Sequence, residues 1–260
     1  MSHWIIQDKV FGEETDRLIE ALKNANVGHS IVAGPAEVDY SGHVFFRGSI
    51  DFVETCRSRI ERWRCLDWKV ENFSCSDYYP LFGAHCWLLN YDAVWMPWGY
   101  FKLHGDLLFD RFGCDKLFIR PDSGRKIFTG TTIGKKWFFK EAEVIEGLPS
   151  TKDLNDNTMI LVAKAKNIEK EARFLLGPTG VISSSWYNGE GSQREMDIMA
   201  QYAMEAYSYH FGTFMTVDMC YLKDEIMPNI VEVNSFESAG LYDMDMNKVV
   251  EAVEQYVRIK

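Results

Sequence analysis

The sequence predicts an α+β fold in which a small α/β lobe precedes a larger domain of antiparallel strands and helices. Three observations support this prediction. The first 55 or so residues alternate short apolar runs with one amphipathic stretch, which is typical of an open α/β lobe. The C-terminal half contains apolar runs separated by turn sequences rich in Gly and Pro. The chain has 260 residues, 47% of them hydrophobic, which is enough for one large domain or two or three lobes.

The N-terminal lobe is predicted from strand-like and helix-like patterns in order along the chain. Apolar runs at Trp4–Ile6, Ser30–Ala33 and Val44–Phe46 predict strands because they are rich in branched and aromatic side chains. Between the first two, Glu13–Asn24 places its apolar residues on one side and predicts a helix. Further helices are predicted around Phe52–Trp63 and Asn90–Phe112, on either side of a turn-rich stretch at Asn72–Gly83. The first predicted domain is therefore residues 1–113, a lobe with a helical connection.

The second predicted domain, residues 114–260, begins with a hairpin. Leu117–Ile119 and Lys126–Gly130 predict two short strands on either side of a turn at Pro121–Gly124. Another strand is predicted within Asn157–Ala165, where five apolar residues follow one another. We expect residues 114–165 to form one subdomain and residues 166–260 a second.

The second subdomain is predicted to contain two strand pairs and two helices. A hairpin turns at Gly177–Gly180, and the capping-box sequence that begins at Ser192 predicts a helix running toward Gly212. The remaining predicted elements are paired strands at Phe214–Leu222 and Ile230–Asn234 and a final helix at Asn247–Val257.

Composition narrows the classes of function. The net charge of −10 argues against a broad nucleic-acid-binding face, so we expect a small-molecule or protein partner. No apolar run approaches the roughly 18–20 residues that span a bilayer, and the first residues lack the pattern of a signal peptide. We therefore expect a cytoplasmic protein without a membrane anchor. The six cysteines and six histidines lack the spacings of a zinc site, and composition leaves the oligomeric state open.

Three oxygen-bearing side chains interrupt the last two predicted strands. Glu232 and Asn234 lie two positions apart, so both project from the same face of their strand. Antiparallel pairing with the preceding strand would bring Asp218 close to them. Carboxylate and amide oxygens are ligands for magnesium, which keeps water or substrate phosphates in its other positions. The alternative is that Asp218 and Glu232 lie at strand ends and face solvent.

Magnesium held in this way commonly accompanies a nucleoside triphosphate, and the hairpin offers groups for its phosphates. Arg120, Arg125 and Lys126 supply positive charge around the turn. The small and hydroxyl-rich stretch Thr129–Thr132 can bring backbone N–H groups close to phosphate oxygens. The alternative is an ordinary surface hairpin, which can carry the same residue types.

The residues carry a resemblance to the ATP-grasp superfamily. "IVEVNSFESAG" following "FMTVDMCY" resembles its metal-binding strand pair. "LFIRPDSGRKIFTG" resembles the hairpin that covers the phosphates, and "ILVAKAKNIEKEARFLL" resembles the hinge and the strand after it. The match runs from Leu117 to Tyr242 and is similar to a compact bacterial and phage-encoded clade of carboxylate-amine ligase-like proteins. It implies an ATP-grasp fold in which residues 114–165 form the lid, residues 166–260 hold the metal, and the N-terminal lobe is a pre-ATP-grasp lobe.

The resemblance implies a role for each matching residue, with ATP and magnesium as cofactors. Asp218, Glu232 and Asn234 would bind magnesium, and Arg120 and Arg173 would be catalytic. The implied ATP contacts are phosphate contacts from Arg120 and Lys126, lid positions at Thr129 and Gly130, adenine-facing backbone at Val162, Ala163 and Lys164, ribose contacts from Glu171, and a contact from Arg173 to the transferred phosphoryl group or the substrate carboxylate. Two positions depart from the family pattern: Arg120 stands where many members have Lys, and Thr216 where several ligases have Arg.

The function that the resemblance implies is an ATP- and magnesium-dependent ligase that joins a carboxylate to an amine through an acylphosphate. By analogy, the small-molecule substrates are amino acids or a peptide end. The residues Arg47–Ser49, the aromatic stretch 63–101 and the segment Ser235–Tyr242 are candidates to border them, although Arg47 fits a solvent-facing strand end equally well. Two alternatives remain open: a nucleotide-binding or regulatory module without turnover, and a metal-dependent nuclease, which the acidic chain and Asn234 favour less.

Overall fold

The computed structural model describes residues 2–37, 43–59, 73–82, 87–208 and 214–259. The N-terminal elements are β1 (His3–Gln7), α1 (Glu13–Asn24), β2 (Gly28–Val32), β3 (Val44–Arg47) and α2 (Ile50–Arg59). They are followed by α3 (Cys75–Phe82), β4 (Val94–Pro97), α4 (Trp98–His104), α5 (Leu107–Phe112), β5 (Lys116–Pro121), β6 (Thr131–Gly134), α6 (Phe138–Glu146) and β7 (Met159–Lys164). The C-terminal elements are β8 (Ile168–Gly177), β9 (Gly180–Asn188), α7 (Gln193–Ser208), β10 (Met215–Leu222), β11 (Pro228–Ser235) and α8 (Met246–Ile259). This mixture of helices and sheets confirms the predicted α+β class.

The chain divides into two compact units, and each is described here by itself. The first unit combines residues 1–69 with residues 169–260, and the second contains residues 70–168. Because these units follow contacts, they cut the chain at places other than the predicted boundary between residues 113 and 114. That domain division stays a prediction about how the family's domains map onto the chain.

The first unit contains two sheets. One is parallel, in the order β2-β1-β3, as expected for the predicted α/β lobe. The other has the order β11-β10-β8-β9 and contains two antiparallel hairpins. Trp4 of β1, Leu18 of α1, Leu175 of β8 and Val249 of α8 belong to one buried core. Side chains from both ends of the chain therefore form a single apolar interior.

The second unit is built on one antiparallel sheet in the order β4-β7-β5-β6. Its core contains Trp98 and Phe101 of α4, Ile119 of β5 and Phe138 of α6, all at most 2% exposed. No helix in the described parts of the chain is long and apolar enough to cross a bilayer.

Several predicted elements are confirmed. The strand at 157–165 appears as β7, the hairpin around Gly177–Gly180 as β8 and β9, and the helix after Ser192 as α7. The capping box is present, because the Ser192 hydroxyl accepts a hydrogen bond from the Glu195 amide at 3.3 Å while Glu195 accepts one from the Ser192 amide at 2.7 Å. The parts of the predictions at Trp63 and Gly212 lie outside the described residues.

The strand predicted at Lys126–Gly130 was wrong. The structure begins the second strand of the hairpin at Thr131, which pairs with Ile119. Lys126 adopts a positive φ of 52°, a left-handed conformation that an extended strand does not accommodate. The connection between the strands is therefore longer than predicted, and Thr129 and Gly130 lie in it just before β6.

The single helix predicted at Asn90–Phe112 was also wrong. Val94–Pro97 forms β4, which pairs antiparallel with β7 from Val94 opposite Val162 to Pro97 opposite Met159. Pro97 has the extended backbone angles φ −64° and ψ 145° and precedes α4, which ends at Gly105. The stretch predicted as turn-rich instead contains α3, and α6 was not predicted.

Replacing Gly191 by Ala should lower the free energy of unfolding by about 1–3 kcal/mol, the usual effect of overpacking. A Cβ at Gly191 would lie 2.3 Å from Cζ2 of the Trp186 indole, so the ring must move. Chemical denaturation of both proteins measures the difference. Gly34→Ala is the matched control, because a Cβ there meets no atom within 4 Å. Equal loss of stability in the two variants would contradict the expected collision.

Candidate functional site

The three predicted metal ligands lie together on the strand pair β10–β11. In this antiparallel pair Asp218 lies directly opposite Glu232, and Thr216 lies directly opposite Asn234. Directly opposite residues of an antiparallel pair project from the same face, as do residues two apart on one strand. Asp218, Glu232 and Asn234 therefore share one face, as the sequence predicts. The register shifts between Asp218 and Met219, which places an irregularity of the ladder beside the set.

Arg173 of β8 forms a two-pronged ion pair with Asp218. Its Nε donates to Oδ1 and its Nη2 donates to Oδ2, both at 2.6 Å. The side chains are 7% and 2% exposed, so the pair is almost entirely desolvated. Burial alone would lower the pKa of Arg173, but the charge of Asp218 and its hydrogen bonds outweigh burial and raise that pKa. The geometry is the parallel fork that an arginine makes with a carboxylate.

Glu232 is the more accessible carboxylate of the set. Its side chain is 18% exposed, and its Oε1 lies 3.8 Å from Nη2 of Arg173. Asn234 donates from Nδ2 to the same Oε1 at 2.8 Å. Two carboxylates facing one guanidinium leave an excess of one negative charge on this face. A divalent cation would compensate that charge.

The donor set fits a hard divalent cation. Two carboxylates and one amide on a common face supply oxygen ligands, which magnesium prefers, and leave its other positions to water or phosphate oxygens. Within the described parts of the chain no group of three or more His, Cys, Asp or Glu side chains is arranged to hold a metal. The set is thus incomplete as an all-protein cage, which is how magnesium is commonly held next to nucleotides.

Two tyrosines that sequence analysis did not assign to the site cover the guanidinium of Arg173. The rings of Tyr187 and Tyr242 stack with centroids 4.7 Å apart and planes at 14°. The Arg173 guanidinium carbon lies 5.7 Å from the first ring centroid and 5.0 Å from the second. Burial, followed by the charge of Asp218, raises the pKa of Tyr187, so its hydroxyl stays protonated. Tyr242 has a positive φ of 50°, an uncommon conformation for a tyrosine.

Glu171, the predicted ribose contact, lies in the same unit near the outer end of the β8–β9 hairpin. Tyr187 donates from its hydroxyl to Oε1 at 3.2 Å, and Asn188 donates from Nδ2 to Oε2 at 2.9 Å. Glu171 lies opposite Asn188 in the strand register. The hairpin pattern therefore contained a signal for Asn188, because pairing from the Gly177–Gly180 turn places it across from Glu171.

Arg47, which sequence analysis treated as a carboxylate contact or a solvent-facing residue, is fully buried. Its Nη2 donates to Glu14 Oε1 at 2.5 Å, and its Nη1 donates to the carbonyl of Phe236. The solvent-facing alternative was therefore wrong. The reason is that β3 lies inside the first unit, with all four of its residues buried.

Glu237, three residues after Asn234, is a buried carboxylic acid that sequence analysis did not single out. Burial raises its pKa from 4.5 to about 7, against the smaller opposing effects of its own amide, Ser235, Arg57 and Arg47. The Ser235 hydroxyl donates to its Oε2 at 3.0 Å.

The stability of the protein should therefore depend on the proton of Glu237. An acid whose pKa is raised by folding contributes stability that is complete below the unfolded pKa, here 4.5, and lost as pH rises through about 7. We expect the difference in unfolding free energy between the wild type and Glu237→Gln to move against the wild type across this window. Denaturation of both proteins at several pH values measures it. A difference that stays constant between these pH values would show that Glu237 titrates normally.

The predicted phosphate contacts lie in the second unit. Arg120 of β5 is 7% exposed, whereas Lys126, Thr129 and Gly130 are exposed in the connection that follows, or nearly so. A Cβ added at Gly130 would lie 2.7 Å from the Phe118 ring and 3.6 Å from Cβ of Arg120. The structure thus brings Gly130 close to Arg120, and only glycine allows the backbone to approach so closely.

The predicted adenine contacts lie on β7 of the same unit. Val162 and Ala163 have fully buried side chains, so only their backbone could contact a ligand. Val162 pairs with both β4 and β5, and the pairing with β4 ends there, whereas β5 pairs on to Lys164. Along the edge of β7 that faces β4, Ala163 and Lys164 therefore lie past the end of the ladder.

Comparison with known proteins gives the family and the fold. Residues 112–252, more than half of the chain, match the model of an ATP-grasp domain family, the second family of its clade. Among curated proteins, none matches this sequence.

Solved structures with this fold include three ATP-grasp enzymes with low sequence identity. The D-cycloserine synthetase DcsG superposes with a TM-score of 0.68 at 12% identity, covering 99% of this chain and 100% of that one. D-alanine–D-alanine ligase from Bacillus anthracis in complex with ATP gives 0.63 at 12% identity, covering 100% and 98%. The ATP-grasp ligase PsnB in complex with a minimal precursor gives 0.60 at 12% identity, covering 98% and 99%. Together with the family match, they confirm the predicted resemblance: the chain belongs to the ATP-grasp family.

Proposed function

We propose that this protein is an ATP- and magnesium-dependent ligase that joins a carboxylate to an amine. The observation that carries the proposal is the cross-strand set of Asp218, Glu232 and Asn234 on one face, with the Arg173 guanidinium beside it. An excess of negative charge next to a fixed cation suits a metal-bound polyphosphate. Membership of the ATP-grasp family supports the use of ATP.

Asp218, Glu232 and Asn234 would hold the magnesium ions. When bound, magnesium would neutralise phosphate charge and orient the triphosphate. In the wild type, Arg173 already occupies both oxygens of Asp218, so metal binding requires the carboxylate to be shared. Glu232 is the more exposed ligand and is suited to meet the ion first.

We propose that residues of the second unit bind the rest of ATP. Arg120 and Lys126 would contact its phosphates, with Thr129 and Gly130 in the covering lid. The backbone of Val162, Ala163 and Lys164 would face adenine, because their strand edge continues beyond the ladder with β4. Glu171, from the first unit, would accept hydrogen bonds from the ribose. In domain terms, residues 1–113 would form the preceding lobe, 114–165 the lid and 166–260 the metal-binding part.

The proposed reaction has two steps that balance without a covalent enzyme intermediate. A carboxylate oxygen of the first substrate attacks the γ-phosphorus, the bond to the β–γ bridging oxygen breaks, and ADP leaves. The amine nitrogen then attacks the acyl carbon of the acylphosphate, inorganic phosphate leaves, and the nitrogen loses a proton. Arg120 and Arg173 would stabilise charge that develops on the transferred group, which is the main task of a protein in phosphoryl transfer.

The substrate class that we propose is an amino acid or the end of a peptide. The fold neighbours include a D-alanine–D-alanine ligase and a ligase solved with a peptide precursor, so this fold accommodates both sizes of substrate. The segment 235–242 directly follows the metal-binding strand and would border the acceptor.

Calorimetric titration of ATP with magnesium present tests the nucleotide site, and hydroxylamine tests the reaction. Mixtures of amino acids and amines should cause ADP release, and hydroxylamine should intercept the acylphosphate as a hydroxamate. Asp218→Asn should abolish both signals, and Asp197→Asn, an exposed carboxylate on α7, is the matched control. Saturable binding without ADP release in any mixture would remove the ligase and leave a binding module.

A nucleotide-binding module without turnover is the second candidate. Thr216, which stands where several ligases have Arg, is fully buried opposite Asn234, and its hydroxyl lies 3.5 Å from the Asn234 carbonyl. No cation is therefore supplied from that position. Robust ADP formation would dismiss this candidate. The nuclease alternative has no support from the family match.

A further inference from the structure

The segment that follows β11, residues 235–242, is held by charged side chains at both of its ends. Near its start, the Phe236 carbonyl accepts a hydrogen bond from Arg47. Near its end, Glu14 Oε2 accepts from the amide of Leu241 at 2.6 Å and from that of Tyr242 at 3.3 Å. Arg47 and Glu14 are themselves paired at 2.5 Å. One buried ion pair thus binds the backbone of this segment at two separate places.

This ion pair is an expensive way to fill an interior. Arg47 is fully buried and the Glu14 side chain is 9% exposed, so both charges have lost most of their water. Replacing such a pair by apolar side chains of similar size is often neutral or stabilising, so its contribution to stability does not explain it. What apolar side chains cannot supply is a set of directed hydrogen bonds to three backbone groups. The pair therefore specifies the conformation of the segment.

The segment connects this pair to the Arg173–Asp218 pair. The Gly240 carbonyl accepts a hydrogen bond from Nη1 of Arg173 at 2.8 Å. A Cβ at Gly240 would lie 3.6 Å from Oε2 of Glu14 and 3.9 Å from Nη1 of Arg173. The two ion pairs thus approach Gly240 together, and the Gly240 carbonyl fixes the third nitrogen of the guanidinium whose other two nitrogens hold Asp218.

We propose that Arg47 and Glu14 form a positioning pair that fixes the segment 235–242 and, through Gly240, the orientation of Arg173 toward Asp218. Neither residue contacts substrate in this role. The inference rests on the proposed function for its effect on metal binding, while its effect on the segment stands by itself. It assigns the pair a task that is separate from stabilising the fold.

The test compares stability with order in the segment. Arg47→Met leaves Glu14 buried and unpaired, and the double variant Arg47→Met, Glu14→Gln removes that charge, so its stability should recover. The segment should not recover, because the bond to the Phe236 carbonyl is still missing. We expect amide hydrogen exchange in residues 235–242 to be about tenfold faster or more in the double variant than in the wild type. Glu13→Gln, an exposed neighbour on α1, is the matched control.

A second readout concerns the metal. The magnesium concentration needed for half-maximal ATP binding should rise roughly 10-fold in the double variant, as for loss of other partners that orient metal ligands. Arg47→Lys, which keeps the charge but lacks the fork, should show the same faster exchange if the double variant does not fold. Wild-type exchange and magnesium dependence in the variants would overturn the positioning role. Absence of ATP binding by the wild type would overturn the proposed function instead, and the exchange data would still decide the positioning role.

Discussion

Replacing Arg173 by Met should lower the free energy of unfolding by about 3–5 kcal/mol, and magnesium should restore part of that loss. The loss is expected because Asp218, which is 2% exposed, would be left as a buried charge without its fork-shaped partner. Magnesium would replace the guanidinium as the compensating cation. A ligand that binds only the folded state adds about 2.7 kcal/mol at 100 times its dissociation constant. Denaturation with and without magnesium measures both effects.

The controls for this prediction separate charge from packing. Arg194→Met, at an exposed position near the start of α7, should change neither stability nor its response to magnesium. The double variant Arg173→Met, Asp218→Asn removes both charges, so it should regain stability and respond to magnesium less than Arg173→Met alone. If magnesium stabilises the wild type and Arg173→Met equally, Asp218 does not bind the ion.

The double substitution Glu232→Gln, Asn234→Ala should weaken magnesium-dependent ATP binding by at least about 100-fold, because it removes two of the three proposed ligands. Its effect on folding should be small. Glu232 is partly exposed, and the hydrogen bond that Asn234 donates to it at 2.8 Å is of a kind that contributes about 1 kcal/mol. Calorimetric titration of ATP at fixed magnesium concentration measures the affinity, and denaturation measures stability.

Glu225→Gln provides the comparison, because Glu225 is an exposed carboxylate in the turn between β10 and β11. It changes the charge of the same hairpin by the same amount without touching the face of the predicted ligands. Unchanged ATP binding in the double variant would mean that Glu232 and Asn234 are ordinary strand residues and that the metal assignment is wrong.

The metal-binding face was predictable because it depends on local rules. Alternation along β11 fixes Glu232 and Asn234 on one side, and antiparallel pairing through a short turn brings Asp218 across from them. Both rules can be read within one hairpin. The same reasoning explains why the β8–β9 hairpin was predicted.

The buried charge network was not predictable in this way. Arg47 is paired with Glu14, 33 residues earlier, and with a carbonyl 189 residues later in the chain. No pattern around Arg47 indicates either partner. The wrong strand at Lys126–Gly130 has a different cause, since alternation suggests a strand there while the positive φ of Lys126 prevents one.

The first unit is assembled from the two ends of the chain, and this has consequences for biosynthesis. Its core joins Trp4 and Leu18 to Val249 and Val253, so the parallel sheet cannot complete its interior until the ribosome has made α8. The second unit is one continuous stretch and can fold earlier. During synthesis the N-terminal strands therefore wait with apolar side chains exposed, a stage at which chains aggregate or need chaperones. Truncation from either end should damage the same unit, the one that carries Asp218.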